Sequence, residues 1–521
     1  MSRSPQAARL GTLIAACLAI SVSQIANVVP APIVGEVQHS MGADGVALAW
    51  VTSAFLLPTA ILELSFGVLG DLFGRKRVLM LGALLMAVGG LVNGSATDVH
   101  QLWVGQAITG IGAGAVIPTS LAIAIASAAT HARRSRGVAT WTLSLSTGTM
   151  LGVLISGALA EKISWHASFY AVTPLALIVL VVTAVLAADS NAPEGRSLDW
   201  GGQAAIGVGL FCLLYGVVEG TGKSWSSAHV IAALVVGVAG LVAFVAIEQR
   251  VTAPMLHLDV FKIPAFSAAA GAAVIGMFSF MGSVYALSIR LGTLQHKTAL
   301  GSAVFFIVLQ GIPCLVGPVL PRMMTRFGAR RLVTGGLLLL AAGQFWLAGL
   351  SLRQSSLLDH LGPLLLEGIG FLFVVSAMTS AAVEAVPVSL TGMASAAINT
   401  ARDFGMCIGP AIISALALRA ATADLPSRLT SSGMTPQQVG TVTHIANEGG
   451  PFAVLGVPLG PLTPRAVGSA LSALSHGFSL GLVICGCAAL VAAAATALFL
   501  RQSGDRTAAA APATAEAGAA I

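Results

Sequence analysis

Gly67-Val-Leu-Gly-Asp-Leu-Phe-Gly-Arg-Lys-Arg77 is a glycine-tight, strongly basic turn set between two long apolar runs. The run before it, Trp50 to Phe66, and the run after it, Val78 to Ala96, are each about long enough to cross a ~30 Å hydrocarbon layer at ~1.5 Å per residue. The three cations Arg75, Lys76 and Arg77 therefore sit at a membrane face, and the positive-inside rule makes it the cytoplasmic one. Gly67, Gly70 and Gly74 permit a sharp turn and close helix approach. Glu63, Gly67 and Asp71 are spaced i, i+4 and i+8, so one helix side carries a carboxylate from the membrane edge into its interior.

Outward from this turn the whole chain has membrane character. Of its 521 residues 56% are hydrophobic and 9% charged, with a mean hydropathy of +0.90, whereas a soluble domain carries roughly a quarter charged residues. A water-soluble fold is excluded. The net charge of +6 is scattered over short loops, which makes it a topology signal and gives no basis for a nucleic-acid partner. Six cysteines lie in apolar stretches without paired spacing or histidine partners, so they read as small core residues, and no metal site or cofactor is expected. No Gly-x-x-x-x-Gly-Lys-Ser/Thr loop is present to make the protein ATP-driven. Arg3 and Arg9 before an apolar run have the look of a secretory leader, but the run is long and the turn at Arg75 needs an earlier crossing, so it reads as an uncleaved first span.

About fourteen apolar runs predict an all-α integral membrane fold. Residues 1–9 form a cytoplasmic N-terminus, 10–187 a six-helix bundle, and 188–265 a linker holding two additional spans. Residues 266–500 form a second six-helix bundle, and 501–521 a disordered cytoplasmic tail. An even count places both termini on the side of Arg75 to Arg77, Arg133/Arg134/Arg136 and Arg322/Arg326/Arg330/Arg331. Residues 419–473, rich in proline, read as a long outer loop with a short helix around Thr435 to Ala446.

Two halves of the chain repeat one pattern. Phe73-Gly74-Arg75-Lys76 recurs as Phe327-Gly328-Ala329-Arg330, Gly110-Ile-Gly112 as Gly368-Ile-Gly370, and Gly148-x-x-x-Gly152 as Gly405-x-x-x-Gly409, at offsets of 254, 258 and 257. A transporter of two repeated bundles, with its pathway at their interface, follows. Ser144, Gly148, Gly152 and Ser156 make a stripe of small residues that serves for packing or as a hinge.

These motifs carry a resemblance to the major facilitator superfamily, and to its fourteen-spanner drug/proton antiporter branch, over essentially the whole length. Gly67 to Arg77 resembles the cytoplasmic signature between spans 2 and 3, and implies a conformational gate. Gly110-Ile-Gly112 with Pro118 resembles the span 4 motif. Gly148-x-x-x-Gly152 with Gly157 resembles the antiporter motif of span 5. Ser164-Trp165-His166 with Phe169 and Pro174 resembles the start of span 6, and Leu198-Asp199-Trp200-Gly201 that of span 7. Gly392-Met-Ala-Ser395 and Asn399-Thr-Ala-Arg402 resemble span 13. The departures are specific: Ser23 to Pro32 lacks the usual carboxylate, Gln106 stands where the branch has arginine, Val153 replaces a proline that Pro410 retains after Gly409, and Thr325 answers to Asp71.

Ionisable groups within spans are costly and mark candidate sites. Glu63, Glu367, Arg402 and Asp403 qualify, with Glu63 and Asp403 as expected proton carriers and Arg402 as a structural anchor. Arg402 and Asp403 project ~100° apart on a helix, which does not pair them, whereas Arg402 and Glu367 lie at matching depth. Asn27, Gln106, Trp141, Phe278, Phe280, Tyr285 and Asn399 are candidate pocket residues, suited to a lipophilic, weakly cationic molecule. The expected function is export of a drug, antibiotic or hydrophobic metabolite across the plasma membrane by a monomer, in exchange for protons. An uncoupled facilitator or lipid/metabolite exporter of the same fold, and a membrane sensor or embedded enzyme, are the alternatives.

Overall fold

The computed structural model describes residues 5–126, 131–190, 199–222, 225–251, 258–386, 391–457 and 460–500. The expected tail 501–521 lies outside them. The first half contains α1 (Pro5–Val28), α2 (Pro30–Met41), α3 (Gly45–Phe73), α4 (Arg75–Gly94), α5 (Val99–Ala126), α6 (His131–Lys162), α7 (Trp165–Tyr170) and α8 (Val172–Leu186). Two further helices follow, α9 (Trp200–Gly222) and α10 (Ala228–Glu248). The second half contains α11 (Pro264–Ile289), α12 (Ala299–Val316), α13 (Leu320–Gly349), α14 (Leu357–Ala385), α15 (Thr391–Ser431), α16 (Pro436–Gly456) and α17 (Thr463–Phe499).

Among the described residues thirteen stretches are long and apolar enough to cross a membrane, and one of them, Ala299–Gly349, has 51 residues. At ~1.5 Å per residue that is about 77 Å, too long for one crossing. It breaks at the 3-10 turn Gly317–Val319 and at Gly328, whose φ of 74° is non-helical. Two crossings result, and the fold is an all-α membrane bundle of about fourteen spans. Exposed rows such as Ile178, Val181 and Val185 on α8, and Ile231, Val235, Val238 and Val242 on α10, are spaced for lipid contact.

The sequence repeat has a geometric counterpart. Gly74, between α3 and α4, has φ of 104°, and its repeat partner Gly328 has φ of 74°, a region that favours glycine. A Cβ on Gly148 would lie 2.5 Å from the Ser21 carbonyl oxygen, and one on Gly405 would collide with the Val274 carbonyl in the same way. Each half thus presses its fifth span onto its first through a missing side chain. Gly152 against Ile25 and Gly409 against Phe278, the latter followed by Pro410, extend these contacts one turn further.

The halves meet along two seams, α3 with α15 and α6 with α12. Helix α9 covers the first seam: Gln203 Nε2 donates to the Ile61 carbonyl at 2.6 Å, and Ser65 Oγ donates to Gln203 Oε1. Contact is tight at one end of the molecule, where Gly35 abuts Gly292, Ser288 Oγ donates to the Ala31 carbonyl, and a Cβ on Gly157 would lie 2.6 Å from that of Ala303. Toward the end carrying the 67–77 turn, a Cβ on Gly311 would meet only Met150 Sδ, at 3.9 Å. The α6–α12 seam therefore widens in that direction.

The segment 419–473 departs from the expected loop. Helix α15 runs 41 residues, about 60 Å, which is twice a hydrocarbon layer. Its last turns, α16 and the first turns of α17 form a helical cap over the tight end. The reason is local: Thr435 and Gln438 form a reciprocal capping box with Pro436 in the first turn, which starts α16, and the helix ends ten positions beyond the expected Ala446. Gly450, with φ of 76°, then bends it.

Candidate functional site

Helices α3 and α15 run antiparallel, so Gly45 faces Ser414 at the tight end, and Glu63 faces Asp403 and Arg402 further along. Glu63 and Asp403 are 8% and 7% exposed, from opposite halves. Arg402 Nε donates to Asp403 Oδ1 at 2.8 Å, and Arg402 Nη1 donates to Asn399 Oδ1 at 3.4 Å. The Glu63 carboxyl lies beside the Asp403 carboxyl across the seam, and Arg402 acts on both. Glu63 Oε2 and Asp403 Oδ2 are buried and receive no protein donor.

This arrangement has a definite proton capacity. An ionised carboxylate only accepts, so two carboxyl groups can hydrogen-bond to one another only when one of them carries a proton. One guanidinium balances one carboxylate. With a single proton bound the trio is neutral and every contact is complementary; without it a net negative charge stays buried across the seam, which is costly.

The pairing of Arg402 differs from the expectation. Arg402 does not reach Glu367; it folds back onto its own neighbour Asp403, because a flexible guanidinium stem spans the ~100° offset that separates their Cβ directions. Glu367, 1% exposed on α14, accepts from Ser283 Oγ of α11 at 2.9 Å on each oxygen. It belongs to the second bundle's interior, beside Ser279, Gln344 and the Cys485 carbonyl.

The 67–77 turn closes on its own half. Arg75 Nε and Nη2 both donate to Asp71 Oδ1, at 2.9 and 2.8 Å, and Arg75 N–H donates to the Ser190 carbonyl. Lys76 Nζ donates to the Ala184 carbonyl in the last turn of α8, and its repeat counterpart Arg330 donates to the Ala497 carbonyl in the last turn of α17. Each cation caps a helix C-terminus, where carbonyls lack partners. Arg77 is exposed. Gly67 has only an ordinary contact, 3.7 Å from Pro118, whereas Gly70 is tight against Thr119 at 3.0 Å.

The seven expected pocket residues separate into two groups. Asn27, Phe278 and Asn399 are half-buried. Gln106, Trp141, Phe280 and Tyr285 are buried and committed to packing. Gln106 accepts from Asn93 Nδ2 at 3.1 Å and donates to the Val51 carbonyl at 3.0 Å, so it braces α4 and α5 against α3. Trp141 Nε1 donates to Ser120 Oγ at 3.0 Å, and Phe280 stacks on Phe371 at 4.1 Å between centroids. Tyr285 OH donates to the Gly45 carbonyl at 3.2 Å, which also accepts from Ser414 Oγ, so this phenol ties α11 and α15 to α3. Buried donors need partners, and these side chains meet that need within the protein.

Sequence reasoning missed Glu36 and Glu161. Both belong to the first half and both reach the start of α12 in the second: the Glu36 carboxyl lies beside the Ala299 backbone, and Glu161 Oε2 accepts from the Leu300 N–H at 3.2 Å. Negative charge at a helix N-terminus is favourable, so the pair clasps the tight end. Each lies at the end of a span, which marked it as polar edge; nothing local indicated the shared partner.

Two helical bundles meeting along seams, with ionisable groups buried between them, define a multi-pass membrane protein of the transporter class. The chain belongs to the Major Facilitator Superfamily, whose family model matches residues 16–410. It is 28% identical over 403 residues to Multidrug resistance protein Stp of Mycobacterium tuberculosis (strain CDC 1551 / Oshkosh), covering 77% of this chain and 75% of the relative. It is 25% identical over 501 residues to the Tetracenomycin C resistance and export protein of Streptomyces glaucescens, covering 94% and 91%. Among solved structures, an inward-facing bacterial homologue of the human lysosomal transporter Spinster aligns with a TM-score of 0.62 at 16% identity, over 95% of this chain and 98% of that one.

Proposed function

We propose that the protein exports lipophilic small molecules across the plasma membrane by alternating access, in exchange for protons, with both termini in the cytoplasm. The relatives named for drug resistance and antibiotic export support the direction and the substrate class. The observation that carries the coupling is the Glu63–Asp403 carboxyl pair, supplied by opposite halves and served by one guanidinium. Bound proton favours contact of α3 with α15 at this level; loss of the proton leaves like charges facing one another and favours separation. Proton occupancy and the position of the halves are thereby linked, as exchange requires. The tight clasp at Glu36, Glu161 and Gly35 fits a state closed to the outside.

Purified protein in liposomes tests the reading. An imposed pH gradient should drive uphill movement of a lipophilic dye, and Glu63→Gln and Asp403→Asn should each abolish uphill transport while leaving dye-for-dye exchange. Uphill transport retained in both variants refutes the proton assignment. Downhill movement indifferent to a protonophore in the unaltered protein would instead identify an uncoupled exporter.

A further inference from the structure

A cavity of about 680 Å³ lies at the capped end, bounded by Asp44 and Gly45 at the start of α3, Trp225 before α10, Arg419 and Thr422 on α15, and Asn447 on α16. Its size falls in the range of small-molecule sites, ~300–1,000 Å³. Helix α16 supplies one wall, from Thr443 through its bend at Gly450. The floor is the junction of the halves: a Cβ on Gly45 would lie 2.5 Å from Leu418 and 2.9 Å from Phe452, and the Gly45 carbonyl is the group held by Tyr285 and Ser414. Separation of α3 from α15 at this end would open the floor directly into the cavity.

The lining is amphoteric. Asp44 and Arg419 are both exposed. Asp44 Oδ1 accepts from the Ala47 N–H at 2.7 Å, which leaves its second oxygen open to a ligand. The Arg419 guanidinium engages no carboxylate among the described residues. The Trp225 indole, 40% exposed, adds an aromatic face to the same lining.

We propose that this cavity is a second binding site, beyond the seam, for amphipathic molecules carrying both an anionic and a cationic group, with Arg419 taking the anion and Asp44 the cation. It rests on the export reading only in making the site a station on the way out.

The test uses the full chain in liposomes with Cys487→Ser, because Cys487 is an exposed native thiol. The thiol introduced by Asn447→Cys is labelled with a membrane-impermeant maleimide, alone or with rhodamine B, a zwitterionic dye, or rhodamine 6G, its esterified cationic relative. Rhodamine B should slow labelling on the order of ten-fold, rhodamine 6G far less, and Arg419→Gln should erase the difference without changing the rate in the absence of dye. Thr422→Cys provides a second reporter should the first variant fold poorly. No protection by rhodamine B at either reporter overturns the proposal, and protection unaffected by Arg419→Gln overturns the charge assignment. Dye efflux is followed in the same vesicles. Efflux without protection removes the cavity site and leaves export intact, whereas protection without efflux supports the site and removes export.

Discussion

Glu63→Gln isolates the charge logic of the seam. An amide at this position can donate to the Asp403 carboxylate, which pairs with Arg402 at 2.8 Å, so the variant imitates the singly protonated trio at every pH. In the unaltered protein, proton loss replaces a hydrogen bond between charged and neutral partners by an uncompensated buried charge. A hydrogen bond to a charged group contributes about 1.5–3 kcal/mol and a buried charge left without its partner costs about 3–5 kcal/mol. Taking ~3 kcal/mol, the deprotonated seam should open about 100-fold more often than the variant's seam, since ~1.4 kcal/mol is a factor of ten. Cys407, one helical turn from Asp403 and 1% exposed, is a native reporter of opening once the exposed thiol is removed by Cys487→Ser and labelling is read at Cys407 itself. Its labelling rate by a small maleimide, taken as the ratio of unaltered protein to variant at each pH, cancels the thiol's own ionisation to first order. The sign follows from the charge count: protons close the seam, so the ratio should be near one in acid and rise toward about 100-fold in base. A ratio near one throughout, or one that rises toward acid, refutes the reasoning.

Arg402→Ala leaves two carboxyl groups without a cation and should lower stability by about 3–5 kcal/mol, seen as early thermal aggregation in detergent, with Arg402→Lys recovering part of the loss. Gly148→Ala would set a Cβ 2.5 Å from the Ser21 carbonyl oxygen and should cost about 1–3 kcal/mol, while Gly67→Ala, with 3.7 Å to Pro118, should express and melt as the unaltered protein does. Glu36→Gln combined with Glu161→Gln weakens the clasp on the start of α12, so the thiol of Ser288→Cys, placed beside Ala31, should become several-fold more reactive toward an external maleimide; an unchanged rate would show that the glycine contact at Gly35 closes this end unaided.

Much of the fold was legible because the determinants are local. Span length, the basic turn and the glycine positions follow from solvent and backbone sterics, and Gly74 and Gly328 carry the non-helical conformations that their residue type favours. Of the cap only the short helix starting near Thr435 was legible, because the surrounding prolines suggested a loop for the rest. The candidate site was legible as a set of costly residues, and Glu63 with Asp403 are brought together from 340 positions apart.

By itself the sequence determined that the chain crosses a membrane about fourteen times, repeats its bundle, and carries Glu63, Glu367, Arg402 and Asp403 within its spans, because each of these depends on hydropathy and spacing within a few dozen residues. Tertiary structure alone decided partners: that Arg402 serves Asp403 and Glu63 while Glu367 answers to Ser283, that Gln106 and Tyr285 brace helices, and that Glu36 and Glu161 share one helix start. The physical reason is that a long side chain's partner is set by how helices are rotated and staggered against one another. That packing is fixed by close contacts such as Gly148 on Ser21 and Gly405 on Val274, between residues more than a hundred positions apart.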